Sequence, residues 1–244
     1  TFAQVFGVKA RVIIYRTLMR DPKYRETCVD WKDYSAHNGR NHDDAAASQS
    51  IDHPLIAQFA GDDPATVVEA AQHIQDSVSA CDLNLGCPQK IAKRGNYGAF
   101  LLPQQDRVIS VLDAMVKGLS VPVTAKIRKL AKEEDTLELC RRIEDVGVSM
   151  ITIHGRTVDN CKLYTGPVDW DIIRKVKETV SIPVVANGGV ACHTDVQRCL
   201  DVTGADAVMS SEALLENPKL FSAEGDHAFR ETFVRSQLDT VREY

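Results

Sequence analysis

Short, almost continuously apolar runs alternate along this chain with longer segments whose apolar residues recur every three to four positions. The runs are residues 11–18 (RVIIYRTL), 54–60 (PLIAQFA), 80–85 (ACDLNL), 121–127 (VPVTAKI), 149–154 (SMITIH), 182–186 (IPVVA) and 205–210 (ADAVMS). Runs rich in Val and Ile without polar alternation suit strands covered on both faces, as in parallel sheets. Helical periodicity falls on residues 64–77, 106–118, 134–146, 169–179 and 193–203, with glycine stop signals at Gly118, Gly147 and Gly204.

Strand–helix alternation with crossovers of this length is the βαβ unit, right-handed by default. Seven runs exceed the strand count of a usual doubly wound sheet and fall one short of a (β/α)8 barrel. The opening TFAQVFGVKA reads as the end of a helix and a turn. The expected fold is therefore a (β/α)8 TIM barrel whose first strand lies outside this chain. Residues 1–222 form the barrel domain in this reading. Residues 223–244, ending on VREY inside a helical pattern, begin a C-terminal helical region that is cut short. Residues 19–52 are longer and more polar than a barrel helix, as expected of an exposed insertion or lid loop.

Composition narrows the class without naming a chemistry. Of 244 residues, 44% are hydrophobic and 26% charged, close to ordinary globular proteins. A formal net charge of −5 argues against a surface that binds nucleic acid everywhere, and leaves room for a local basic patch. No run approaches the ~18 apolar residues of a membrane helix, so no membrane partner is expected. Seven cysteines without a CxxC pair read as reduced thiols, with no metal site, in a cytoplasmic or nuclear protein.

Sites of such barrels lie at the carboxyl ends of the strands. The polar residues there are Gln58; Asn84 with Gly86-Cys87-Pro88; Lys126 and Arg128; His154 and Arg156; Asn187-Gly188-Gly189; and Ser210-Ser211-Glu212. Unpaired polar burial costs several kcal/mol, so polar groups at six strand ends point to one shared polar ligand. Taken singly, Gln58 also reads as a backbone partner, His154 as a core histidine and the glycine pair as a loop. Together, Gly188 and Gly189 offer close backbone approach, and the last loops of a barrel commonly bind phosphate through N–H groups. Cys87 stands apart from the other cysteines because it sits between Gly and Pro at a strand end. A thiol placed there serves as nucleophile, base or acid.

The block DLNLGCPQKIAKRGNYGAFLL (residues 82–102), with VPVTAKIR, TIHGRT, PVVANGGV and DAVMSSEALLENP, resembles the tRNA-dihydrouridine synthases, closest to the eukaryotic type acting on uridines 16 and 17. The resemblance runs from about Ile14 to Phe221. It implies reduction of the uracil C5–C6 bond in the tRNA D-loop by FMN, itself reduced by NADPH or NADH. It also implies Cys87 as the general acid, with Gln58, Lys126 and His154 on the flavin ring and ribityl chain. Asn187, Gly188, Gly189, Ser211 and Glu212 fall on the phosphate-binding turns. Glu212 is a carboxylate beside that phosphate, so backbone N–H groups must bind it. Asn84 and Arg128 would position the uracil. Lys90, Lys93, Arg94, Arg128 and Arg156 would ring the barrel mouth as an anion funnel for tRNA, which must extrude its target base. A monomer is expected.

Two other readings stay open on sequence alone. One is an FMN-dependent dehydrogenase or reductase of free pyrimidines, of the dihydroorotate or dihydropyrimidine dehydrogenase kind. Turnover of free uracil or dihydroorotate would favour it. The other is a non-catalytic RNA-binding relic, which flavin absorbance in the purified protein would exclude.

Overall fold

The computed structural model describes residues 11–14, 55–159, 166–217 and 220–221. Seven strands run in sequence order: β1 (Arg11–Ile14), β2 (Leu55–Phe59), β3 (Ala80–Leu85), β4 (Val123–Arg128), β5 (Met150–His154), β6 (Val184–Asn187) and β7 (Ala207–Met209). Each pairs in parallel with its sequence neighbour. Between them lie α1 (Pro64–Gln72), α2 (Lys90–Arg94), α3 (Gln105–Gly118), α4 (Glu133–Asp145), α5 (Trp170–Thr179) and α6 (His193–Thr203), with α7 (Glu212–Glu216) after β7. Among the described residues β1 and β7 are the two edges, so the sheet is a partial (β/α)8 barrel. The expected lid at residues 19–52 and the C-terminal helical region at 223–244 lie outside the described residues. Among the described residues, no helix is long and apolar enough to cross a membrane, and no group of three or more His, Cys, Asp or Glu could hold a metal.

Local chemistry sets the helix starts. Asp63 accepts from Thr66 N at 2.9 Å and Pro64 opens α1, where the missing N–H costs nothing. Asp169 caps α5 by accepting from Ile172 N at 3.1 Å. α4 carries Glu133, Glu134 and Asp135 in its first turn, where the helix dipole favours negative charge.

Alternation along each strand divides the sheet into two faces. Leu83, Leu85, Ala125, Ile127, Ile151, Ile153 and Ala186 face the helices. They join Val108, Leu112 and Met115 of α3, Leu139 and Ile143 of α4 and Ile173 of α5 in the main core. On the concave inner face, Ile56, Ala80, Met150 and Val185, packed with Met209, form a small apolar floor. Above that floor the inner face turns polar.

Candidate functional site

Strand register stacks the polar side chains of the inner face in rows. Gln58, Asp82 and Thr124 are direct neighbours across β2, β3 and β4. One step nearer the carboxyl ends come Asn84, Lys126 and Thr152. The row above holds Arg128, His154 and Asn187. Period two along each strand and the shared parallel register thus bring Gln58, Asn84, Lys126, Arg128, His154 and Asn187 to one end of one face.

The first row is bonded into a relay. Asp82, fully buried, accepts from Gln58 Nε2 at 2.7 Å and from Thr124 Oγ1 at 2.6 Å. Gln58 Oε1 accepts from Asn84 Nδ2 at 2.8 Å. Asn84 Oδ1 then accepts from the backbone N–H groups of Gly86 and Cys87, each at 3.0 Å. Asp82 is not among the candidates that the sequence supplies. Its signal there is an acid inside an apolar run, on the same strand face as Asn84.

Cys87 sits just past β3, half-buried, in a turn gripped from both sides. Its N–H goes to Asn84, while its carbonyl accepts from Ala99 N at 3.1 Å. The preceding carbonyl, Gly86 O, accepts from Arg128 Nε at 2.8 Å. Gly98, at φ +65°, lies so close that a Cβ there would stand 2.8 Å from Cys87 O. These contacts explain why the NLGCP turn and the YGA turn come as one block: each is a wall of the other. Arg128 is buried and donates through Nη1 to Thr157 O at 3.0 Å as well, so its guanidinium ties together the loops after β3 and β5.

The electrostatics are dominated by buried cations. Burial pushes Asp82 up to about 6, against the opposing hydrogen bonds from Thr124 and Gln58 and the charge of Lys126. Burial lowers Lys126 to about 8, helped by Arg128 and opposed by Asp82 and Cys87. His154 falls to about 3 through burial and the charges of Arg128, Lys126 and Arg156, so its imidazole is neutral at physiological pH. The Lys126 ammonium has no hydrogen-bond acceptor among the described residues. It stands beside the Cys87 turn, 3.7 Å from where a Gly86 Cβ would be.

The turn after β6 carries Gly188 at φ +96° and Gly189 at φ +76°. A Cβ on Gly188 would lie 2.6 Å from His154 Cδ2, and one on Gly189 3.2 Å from Trp170 Nε1. Trp170 Nε1 also donates to Gly188 O at 3.1 Å. The close approach these glycines permit is made by the protein's own side chains. Any anion must use the N–H side of the turn. Ser211 and Glu212 are exposed at the start of α7. Arg156 is half-buried, donating through Nε to Gly166 O at 3.1 Å. Lys90, Lys93 and Arg94 are exposed on α2, directly after Cys87, with Lys93 5.9 Å from the Phe100 ring centroid. Of the residues expected at the barrel mouth, Lys90, Lys93 and Arg94 are exposed, Arg156 is half-buried and Arg128 is buried.

A parallel β/α barrel with a polar layer recessed into the carboxyl ends of its strands defines the class of this protein. The structure is similar in fold to DHODH from Eimeria tenella in complex with ferulenol, at TM-score 0.54 and 12% identity over 68% of this chain and 54% of that one. It is also similar to the BexX/CysO complex of Amycolatopsis orientalis, at TM-score 0.50 and 18% identity over 83% of this chain and 70% of that one. The particular family comes from the sequence. The family model for dihydrouridine synthase (Dus) matches residues 17–243, and the chain belongs to that family. A tRNA-dihydrouridine(16/17) synthase-like protein of Mus musculus is 42% identical over 193 residues, covering 79% of this chain and 40% of that protein. The tRNA-dihydrouridine(16/17) synthase of Saccharomyces cerevisiae is 38% identical over 197 residues, covering 80% and 46%. tRNA-dihydrouridine synthase B of Salmonella typhimurium is 38% identical over 176 residues, covering 70% and 54%. The chain spans less than half the length of the first two.

Proposed function

We propose that this chain is the catalytic barrel of a tRNA-dihydrouridine synthase that reduces uridine to 5,6-dihydrouridine in the D-loop of tRNA. The reading takes FMN as cofactor, NADPH or NADH as reductant and the Cys87 thiol as proton donor. The observation that carries it is the placement of Cys87: a thiol in a doubly gripped turn, beside a buried lysine without an acceptor among the described residues, at the mouth of a polar inner face. The residues present fit a flavin. Lys126 is a donor lacking such a partner, Asn84 and Thr152 lie beside it in the register with neutral His154 in the next row, and the Gly188–Gly189 turn leaves its N–H side available to a phosphate. A reduced flavin bound there would supply the hydride for uracil C6.

The chain's own residues do the rest. Lys126 would supply positive charge to the reduced, anionic edge of such a ring. Neutral His154 adds a hydrogen-bonding group without a second competing charge. Cys87 Sγ holds the proton that uracil C5 must receive once negative charge has built up over C5 and the C4 carbonyl. Asn84 fixes the turn from which that proton is delivered. Lys90, Lys93 and Arg94 on α2 attract the phosphates flanking an extruded base, offsetting the few kcal/mol that extrusion costs.

The test is single-turnover oxidation of pre-reduced protein by unmodified tRNA. Cys87→Ala should slow dihydrouridine formation by roughly 10²–10⁴, the usual worth of a positioned acid. Reduction of the flavin by NADPH should be unchanged, and Cys81→Ala should behave as the unsubstituted protein. Equal rates for the two alanine variants would remove Cys87 from the mechanism. Reduction of free uracil in preference to tRNA would remove the substrate assignment.

A further inference from the structure

Between the apolar floor and the Cys87 turn lies a buried hydrogen-bonded row whose lower members, Asp82 and Thr124, have no part in the proposed chemistry. Its polarity is fixed at both ends. At the lower end, the Asp82 carboxylate only accepts, so the Gln58 amide must present its NH2 group downward, as it does at 2.7 Å. At the upper end, the N–H groups of Gly86 and Cys87 only donate, so Asn84 must present its oxygen upward, as it does at 3.0 Å to each. The Asn84 NH2 then points at the Gln58 carbonyl, 2.8 Å away. Two side-chain amides, each able to flip, are held in one orientation because their ends are groups that cannot. Thr124 completes the anchor by donating to the other carboxylate oxygen at 2.6 Å.

We propose that Asp82 is a positioning residue: from beneath the site it fixes the direction of the Gln58–Asn84 amide relay, and through it the Gly86–Cys87 peptide that carries the thiol. The functional consequence rests on Cys87 being the proton donor, whereas the positional claim stands on the relay alone. Asp82 touches neither the turn nor a ligand, so its effect must travel through two amides. That makes the proposal separable from a general packing role.

The separation comes from the hydroxyl of Thr124, which can donate or accept. In Asp82→Asn the new amide can turn its NH2 toward Thr124 Oγ1 and its oxygen toward Gln58, leaving the relay in its original direction. In Asp82→Asn with Thr124→Val that option is gone, because no acceptor remains at position 124. The amide introduced at position 82 then either buries an NH2 without an acceptor or turns it toward Gln58, which sets the lower end of the relay against the Gly86 and Cys87 N–H donors at its upper end. Either outcome loosens the relay that holds the turn. Asp82→Leu removes the anchor outright.

Amide hydrogen exchange at Gly86 and Cys87 reads the relay directly, with Ile172 N at the start of α5 as the distant reference. Asp82→Leu should accelerate both amides at least tenfold. Asp82→Asn should stay within about threefold of the unsubstituted protein, and the Asp82→Asn/Thr124→Val pair should again exceed tenfold. If Asp82→Leu does not fold, the pair, which adds almost no volume, carries the test by itself. Unchanged exchange in the pair overturns the proposal, and so does an Asp82→Asn variant exchanging as fast as the pair. Oxidation of pre-reduced protein by tRNA should follow the same order, with Asp82→Asn faster than the pair at least fivefold. An unsubstituted protein unable to modify tRNA would refute the proposed function while the exchange result still decided the relay.

Discussion

Gly98→Ala is the substitution whose cost the geometry states most directly. At φ +65° an alanine sits in the left-handed region, at about 1–2 kcal/mol for an L residue. Its Cβ would also stand 2.8 Å from Cys87 O and 3.0 Å from Cys87 Cβ. Reaching ordinary contact at 3.4 Å requires the Cys87 carbonyl to retreat by about 0.6 Å. That carbonyl is held by Ala99 N at 3.1 Å, and forced overpacking costs about 1–3 kcal/mol. Together the two effects come to about 2–5 kcal/mol. Gly204→Ala is the matched control. Its φ is +64° and no atom lies within 4 Å of the added Cβ, so it should lose only the conformational part. Urea unfolding of the two variants, at unchanged slope, therefore isolates the clash as the difference between them. A gap of about 1–3 kcal/mol corresponds to roughly 2–12 °C in melting temperature for a chain of this size. If Cys87 acts as the acid, its displacement should also slow dihydrouridine formation roughly tenfold or more, and Gly204→Ala should not. Equal destabilisation by both substitutions would refute the argument that Gly98 is needed for space as well as for its backbone angle.

Three further outcomes follow from the buried charges and caps. Lys126 titrates near 8 in the folded protein against an ordinary 10.5, so between those values the unfolded chain binds the proton that the folded protein has shed, and stability rises with pH. Asp82 titrates near 6 against an ordinary 3.8, so the folded protein keeps a proton there longer and stability falls from about pH 4 to pH 6. Urea midpoints across pH should show both slopes, with Lys126→Met flattening the upper one and Asp82→Asn the lower. Among the five described cysteines, burial lifts Cys81 and Cys140 to about 12 and Cys199 to about 11. Alkylation at pH 8 followed by peptide mass spectrometry should therefore label Cys87 and Cys192 first, and prior labelling of Cys140 would contradict the packing. Asp169→Ala removes both the α5 cap and the ion pair with Lys129 at 2.6 Å. It should cost about 1–2 kcal/mol in thermal melts, while Lys129→Ala, at a partly exposed pair, should cost under about 1.

Much of the scaffold is legible because buried parallel strands and amphipathic helices write different periods into a sequence. The periodic segment 193–203 is α6 without displacement, and 169–179 is α5 less its capping aspartate. The periodicity over 64–77 predicts one helix, but α1 ends at Gln72 and only a 3-10 turn, Gln75–Ser77, follows. The site is legible where it meets the strand ends. Gln58, Asn84, Lys126, His154 and Asn187 do converge, because the parallel strands that carry them end on one side. What strand-end reasoning cannot see is direction. Arg128 has the sequence position of a ligand-binding cation, yet its donors reach Gly86 O and Thr157 O across loops whose course no local pattern specifies. The glycines at 188 and 189 suggest room for a phosphate, whereas His154, Val168 and Trp170 fill the side that lacks a Cβ. Asp82 escapes because it lies mid-strand, where an acid looks anomalous until Gln58 and Thr124 are placed on either side of it.

Strand order equal to sequence order also bears on how the sheet comes into being. Each pairing closes a short span: 24 residues separate Gln58 from Asp82, and 42 separate Asp82 from Thr124. Closure entropy grows only with the logarithm of span, so these two events differ by about 0.5 kcal/mol. No long-range closure stands between the chain and its first native pairs, and assembly can begin at any adjacent pair and extend sideways. The polar relay is the exception to that freedom, because its donors and acceptors come from β2, β3 and β4 at once. Until the third of those strands docks, Asp82 has only half its partners. The local bonds from Asn84 and Ala99 can shape the turn that holds the thiol early, but its anchorage to the sheet is complete only when the last of β2, β3 and β4 docks.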